Sequence, residues 1–271
     1  MRRIMLAWIL LLGTAAVHAA MVVRPVAWTL DGTRYRSYLV YDGASRTLRP
    51  GLLMVPNWYG VNADAIAKAR MIAGHRYVIL LTDLYGAGVR PANTEQAQAA
   101  VKPLYADRAL LRARMLKALA ELRAQEGHAP IDPARIAAIG FCFGGSAVLD
   151  LARAGADVAA VVTFHGILST DDPALARNIK ADVLVLTGDA DQAVPPAARA
   201  AFEQEMRRGH VKRWALVDFG GAEHCFTEAA QKPAPNCAYD PPVARRAYQF
   251  MRVWLDDAFA RRVHRAAAGR R

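Results

Sequence analysis

Residues Gly140-Phe141-Cys142-Phe143-Gly144-Gly145-Ser146 follow directly on the apolar run Ile136-Ala137-Ala138-Ile139. A thiol between glycines, where a strand passes sharply into a helix, is an arrangement for presenting a nucleophile. The turn is so tight that flanking side chains would clash, so glycine stands on both sides. The exposed side chain then sits over the N-terminus of the following helix, whose partial positive charge favours an anion. For cysteine the reactive form is the thiolate that such a position stabilises. Taken alone, Gly-x-Cys-x-Gly is equally the signature of a buried cysteine at a close-packed strand–helix junction.

Two further segments supply partners. The apolar run Val183-Leu184-Val185-Leu186 ends in Thr187-Gly188-Asp189-Ala190-Asp191, with Val194-Pro195-Pro196 beyond it as a proline-led helix start. A third run, Trp214-Ala215-Leu216-Val217, leads into Asp218-Phe219-Gly220-Gly221-Ala222-Glu223-His224. Nucleophile, acid and histidine therefore occur in that order, each just past a strand. This is the order of α/β-hydrolase triads and differs from the chymotrypsin-like and subtilisin-like orders. The predicted triad is Cys142, Asp191 and His224.

With these residues in view the chain resembles the dienelactone hydrolase family, a cysteine branch of the α/β-hydrolase fold. The matching segments are Pro56-Asn57-Trp58-Tyr59-Gly60-Val61-Asn62, Asp83-Leu84-Tyr85, the turn around Cys142, Gly188-Asp189-Ala190-Asp191-Gln192-Ala193-Val194-Pro195, and His224-Cys225-Phe226. The resemblance implies hydrolysis of a small-molecule ester or lactone through a thioester at Cys142, without cofactor or metal. His224 is the implied base, and Asp191 fixes its tautomer. The family pattern Gly-x-x-Asp-x-x-Val-Pro selects Asp191 as the acid and leaves Asp189 to cap or bridge the turn. The oxyanion donors are the N–H of Phe143, which follows the nucleophile, and, by resemblance, that of Trp58. Asn57, Trp58, Tyr59 and Tyr85 are expected to line the substrate pocket, with core packing the alternative for the three aromatics.

The elements that must hold these residues read as an α/β chain. Val22–Leu30 and Tyr35–Tyr41 alternate around Asp31-Gly32, a hairpin signal. Strands are then expected over 52–56, 77–82, 135–141, 158–164, 183–187 and 214–218, and helices over 63–73, 94–100, 106–124, 144–154, 197–208 and 242–259. Such alternation calls for a mostly parallel sheet covered by helices on both faces, with the active residues at the strands' carboxyl ends.

The sequence departs from the family pattern at informative places. In dienelactone-cleaving members the position of Asn57 is a glutamate that helps generate the thiolate, and asparagine cannot take up that proton. The arginines that bind the substrate carboxylate are missing: one falls near Ala87 or Gly88, the other at Glu228. Arg90 is a candidate substitute. A neutral ester or lactone is the expected substrate.

The chain has 271 residues, three cysteines and a formal net charge of +11. Arg2-Arg3, the apolar Ile4–Leu12 and Val17-His18-Ala19 read as a secretory signal peptide cleaved after Ala19. The predicted organisation is therefore a leader at 1–19, a hydrolase domain at 20–260 and a basic tail at 261–271, in an exported, periplasmic or secreted protein. In an oxidising compartment Cys225 and Cys237 are candidates for a disulfide, which leaves Cys142 unpaired. Removing Arg2 and Arg3 with the leader leaves 33 basic against 24 acidic side chains, a net +9, with five arginines in the tail. A solvated, frayed tail explains that charge; no nucleic-acid motif accompanies it, and no membrane association is expected once the leader is gone. His165 reads as a surface histidine or one standing behind the site. No signal for an oligomeric state is present. Alternatives left open are an acyltransferase or thioesterase on the same triad, and a non-catalytic or redox thiol protein.

Overall fold

A two-residue turn at Asp31-Gly32, with φ of 47° and 76°, joins β1 (Met21–Leu30) to β2 (Thr33–Asp42) as an antiparallel hairpin. Positive φ at both central residues matches the twist of the flanking strands. The computed structural model describes residues 21–268. After the hairpin come β3 (Arg49–Val55), α1 (Ala63–Ala73), β4 (Val78–Leu81), α2 (Thr94–Ala106), α3 (Arg108–Arg123), β5 (Ile131–Phe141) and α4 (Phe143–Arg153). The chain continues through β6 (Ala160–Phe164), a 3₁₀ turn (Pro173–Asn178), β7 (Asp182–Gly188), α5 (Pro196–Arg208), β8 (Trp214–Phe219) and α6 (Pro241–Ala268).

The eight strands form one sheet in the order β1-β2-β4-β3-β5-β6-β7-β8, parallel from β4 to β8. All seven residues of β3 and of β7 are buried, as expected of strands covered on both faces. Successive side chains go to opposite cores. Leu53, Val55, Ile136 and Ala138 pack with α2, α3, α4 and α5; Leu52, Met54, Ala137 and Ile139 pack with α1 and α6.

The helix that follows Cys142 is clamped by buried charge. In α4, Arg153 donates to Glu205 of α5 through Nε and Nη2, both at 2.8 Å, and to the Leu168 carbonyl. Asp150 of α4 accepts from Arg153 and, at 2.8 Å, from Arg108 of α3. Three helices are thereby locked in register, with every charge partnered as burial demands.

β3 and β5 begin three and four residues earlier than the sequence reading, at Arg49 and Ile131, and two helices run well past their expected ends. The helix expected to stop at residue 100 runs through Pro103 to Ala106, where Asp107 caps the next one by accepting from Leu110 N–H. The apolar stripe of the last helix ends near Phe259, yet α6 continues to Ala268. Arg261 is anchored to Asp182 at 2.6 Å and Arg262 to Asp157 at 2.7 Å. The start of the expected basic tail is thus helix held by ion pairs, not a frayed solvated segment. The expected leader at 1–19 lies outside the described residues. Among those described, no helix is long and apolar enough to cross a membrane.

Candidate active site

Cys142 sits between β5 and α4 with φ 52° and ψ −117°, a sparsely populated backbone state. Its neighbours explain how the chain holds that state. A Cβ on Gly140 would come within 2.0 Å of the Gly144 carbonyl oxygen, and one on Gly144 within 2.2 Å of the Val55 oxygen and 2.5 Å of the Pro56 oxygen. Glycine at 144 therefore lets the start of α4 press against the loop leaving β3. That loop carries Trp58 two residues beyond Pro56. Phe143 opens α4, so its N–H has no intrahelical partner. The Cys142 thiol is free and partly exposed.

His224 and Asp191 are brought together from 33 residues apart. His224 Nδ1 lies 2.7 Å from Asp191 Oδ2, with the Asp191 side chain fully buried and that of His224 13% exposed. Burial opposes a charge on His224. The Asp191 hydrogen bond and the nearby Cys142 sulfur outweigh it, and the pKa is pushed up to about 10. The imidazole thus keeps its proton through neutral pH. The other Asp191 oxygen accepts from Ala193 N–H at 2.8 Å and from Asn236 Nδ2 at 3.3 Å. Asp189, by contrast, is 59% exposed and faces Arg199 at 3.5 Å.

Aromatic side chains wall the thiol. Asp83, buried after β4, accepts from Tyr85 N–H and Gly86 N–H, shaping the loop that turns Tyr85 inward. Tyr85 stacks on Phe143 at 5.6 Å, and its hydroxyl donates to the Trp58 carbonyl at 2.9 Å. Tyr105 of α2 meets the edge of Phe143 at 5.6 Å. Burial and then the charge of Cys142 raise both phenols, Tyr105 to about 12, so both remain hydroxyls. Tyr105 went unnoticed in the sequence because the helix expected to end at residue 100 leaves it in a connection with no positional signal. Tyr59 is half-buried, its hydroxyl 3.2 Å from Thr94 Oγ1, and its ring edges onto Trp58.

Asn57 and Glu228 meet. Asn57 Nδ2 donates to Glu228 Oε2 at 2.7 Å, and Lys68 of α1 binds Glu228 Oε1 at 2.5 Å while its ammonium lies 4.3 Å from the Phe141 ring centre. Asn57 Oδ1 accepts from Tyr59 N–H at 3.0 Å, which folds the loop carrying Trp58. His165 is fully buried, so the surface alternative is wrong. Its Nε2 pairs with Thr227 Oγ1 at 2.8 Å, and its ring centre is 4.9 Å from that of His224. Burial, then the charges on His224 and Lys68, hold it well below the usual histidine range, so it is a neutral wall. Arg90 donates to Asp83 and to the Gly86 and Val89 carbonyls, which commits it to the Asp83 loop rather than to a substrate carboxylate.

Cys225, next to His224, is joined to Cys237 by a disulfide. Among the described residues, no group of three or more His, Cys, Asp or Glu side chains is arranged to hold a metal ion.

Comparison with known proteins agrees with this architecture. The profile of the dienelactone hydrolase family matches residues 37–259. This chain belongs to the dienelactone hydrolase family. It is similar to a probable 2-oxo-3-(5-oxofuran-2-ylidene)propanoate lactonase of a Bradyrhizobium species, 29% identical over 241 residues, covering 84% of this chain and 92% of the relative. Among solved structures it resembles m3DLH, with 36% identity and a TM-score of 0.80, covering 89% of this chain and 99% of the other. It also resembles a dienelactone hydrolase-like promiscuous phosphotriesterase from metagenomic libraries, with 33% identity and a TM-score of 0.81, covering 88% and 98%. As a dienelactone hydrolase family member the chain is a carboxylic ester hydrolase acting on an ester or lactone.

Proposed function

We propose that the protein hydrolyses a neutral small-molecule ester or lactone through a Cys142–His224–Asp191 triad and a thioester acyl-enzyme. The observation that carries this reading is His224, bonded to buried Asp191 and charged beside the one free thiol. Thiolate attack on the carbonyl generates an oxyanion within reach of the Phe143 and Trp58 N–H groups. Collapse expels the alkoxide, which takes the His224 proton and leaves the acyl group on sulfur. The sulfur is now uncharged, so one cause of the raised His224 pKa is gone and the freed imidazole acts as base for water. Attack by that water releases the acid and returns the proton to the pair.

A neutral substrate follows from the charges. The position expected to carry a carboxylate-binding arginine holds Glu228, already paired with Lys68, and Arg90 is committed to Asp83. A phosphotriester is likewise uncharged, and the 33% identical relative described as a promiscuous phosphotriesterase recommends that class for testing. We further propose that the chain is exported behind a leader cleaved after Ala19, to a periplasmic or extracellular setting compatible with the Cys225–Cys237 disulfide.

The test is selectivity. Matched neutral and carboxylate-bearing aryl esters should differ in kcat/KM by about tenfold or more in favour of the neutral one, an unpaired buried charge being costly. Equal or reversed preference contradicts the substrate class. Mass analysis of the secreted or periplasmic protein should find Ala20 at its N-terminus.

A further inference from the structure

The loop between α6 and the histidine supplies a residue that neither the family pattern nor the triad accounts for. Asn236 reaches across 45 residues to donate from Nδ2 to Asp191 Oδ1 at 3.3 Å, and its Oδ1 accepts from Gln192 N–H at 2.8 Å. Its backbone is left-handed, with φ 60°, a state asparagine tolerates better than most residues. The next residue, Cys237, is bonded to Cys225, which adjoins His224. Ala238 N–H donates to the His224 carbonyl at 3.0 Å. A short covalent path thus runs from the histidine, across the disulfide, to the side chain that holds the acid.

We infer that Asn236 is a positioning residue for Asp191 and that the Cys225–Cys237 disulfide sets its place, so that acid and histidine are held by one cross-linked loop. The inference rests on the triad reading above. A carboxylate with a free second oxygen can rotate; Asn236 and Ala193 together occupy Oδ1 and leave Oδ2 for His224 Nδ1. Small displacements of a catalytic pair carry large rate penalties, about 100-fold for 1 Å.

Two substitutions at 236 separate positioning from turn formation. Asn236→Gly keeps the left-handed backbone and removes the side chain. Asn236→Asp tolerates the same backbone and still accepts from Gln192 N–H, but sets a carboxylate against Asp191. Positioning predicts that kcat on an aryl ester falls about 10- to 100-fold in both, with KM little changed and the melting temperature within a few degrees of wild type. Retained kcat in Asn236→Asp with a loss in Asn236→Gly would reduce Asn236 to a turn residue and overturn the inference, as would retained kcat in both. Removing the disulfide by Cys225→Ala/Cys237→Ala should lower kcat similarly and show no further loss when combined with Asn236→Gly. Fully additive losses would disprove the coupling. Should the double cysteine variant fail to fold, the Asn236 pair still decides. The His224 Nδ1 proton resonance reads the Asp191 bond without turnover: it should shift or broaden in Asn236→Gly, and an unchanged resonance overturns the positioning role. A wild type that shows this resonance but no Cys142-dependent turnover would count against the triad reading instead.

Discussion

Asn57 donates its side-chain amide to Glu228 at 2.7 Å, and these are two of the positions where the chain departs from the charged residues that the family resemblance implies. These two departures are therefore coupled in this chain. Where the resemblance implies a glutamate and an arginine, an amide here meets a carboxylate, with Lys68 supplying the positive charge from α1. The loop carrying Trp58 keeps an anchor because Asn57 Oδ1 accepts from Tyr59 N–H.

Restoring only half of the family pair should therefore fail. Asn57→Glu would set a carboxylate against the Glu228 carboxylate in a largely buried site. We expect a loss of about 1–3 kcal/mol, read as a lower denaturation midpoint, with reduced activity. The combined Asn57→Glu/Glu228→Arg exchange should recover stability relative to the single change and raise kcat/KM for carboxylate-bearing esters. Additive losses in the double variant would contradict the coupling.

The protonation of His224 is directly measurable. With its pKa near 10, the ring should stay charged from pH 6 to 9 and lose its proton only above that, as followed by the ring C–H shifts in NMR. Cys142→Ala removes two of the causes that raise it while leaving burial, which lowers it. The His224 titration should move to lower pH in that variant. An unchanged titration would mean that the sulfur does not hold the proton on the ring.

Gly144→Ala tests the packing of α4 against the loop that carries Trp58, the proposed oxyanion donor. Its Cβ would meet backbone oxygens at 2.2 and 2.5 Å, so the loop after β3 must retreat and take Trp58 with it. Activity should fall about 100-fold or more. Gly88→Ala, with nothing within 4 Å of the added atom, should be neutral in the same assay. Equal effects would show that the contact does not matter.

Arg153→Met should be the most costly substitution away from the site. It strands Glu205 without its partner in the interior and leaves Asp150 to Arg108 alone, and about 3–5 kcal/mol should be lost in denaturant unfolding. Arg153→Met/Glu205→Leu should recover part of it, because a buried pair replaced as a unit leaves fewer unpaired charges.

Much of this architecture was legible because its signals are local. The Asp31-Gly32 hairpin, the apolar runs of β3, β5 and β7, and the glycines around Cys142 each follow from backbone geometry within a few residues. The family pattern singles out Asp191 over Asp189, and the two differ in burial, Asp189 being exposed and Asp191 nearly sealed against His224. What could not be read was long-range pairing. Nothing near Lys68 shows that it faces Glu228 across 160 residues, and nothing near Asn236 shows that it reaches Asp191. His165 follows a strand as a surface residue can, and only the packing of Phe226 and His224 around it shows that it is buried. The last helix outran its apolar stripe because ion pairs to Asp182 and Asp157 hold its far end, and charge pairing leaves no periodic trace.

The central claim is that Cys142 carries the acyl group. Leaderless protein mixed with a short aryl ester and quenched within the first turnover should gain the mass of one acyl group, located on the peptide containing Cys142, with a matching burst of phenol. Both signals should vanish in Cys142→Ala, and the adduct should persist longer in His224→Ala if any forms there. Steady hydrolysis by folded Cys142→Ala at the wild-type rate, or an adduct mapped to another residue, would contradict the account.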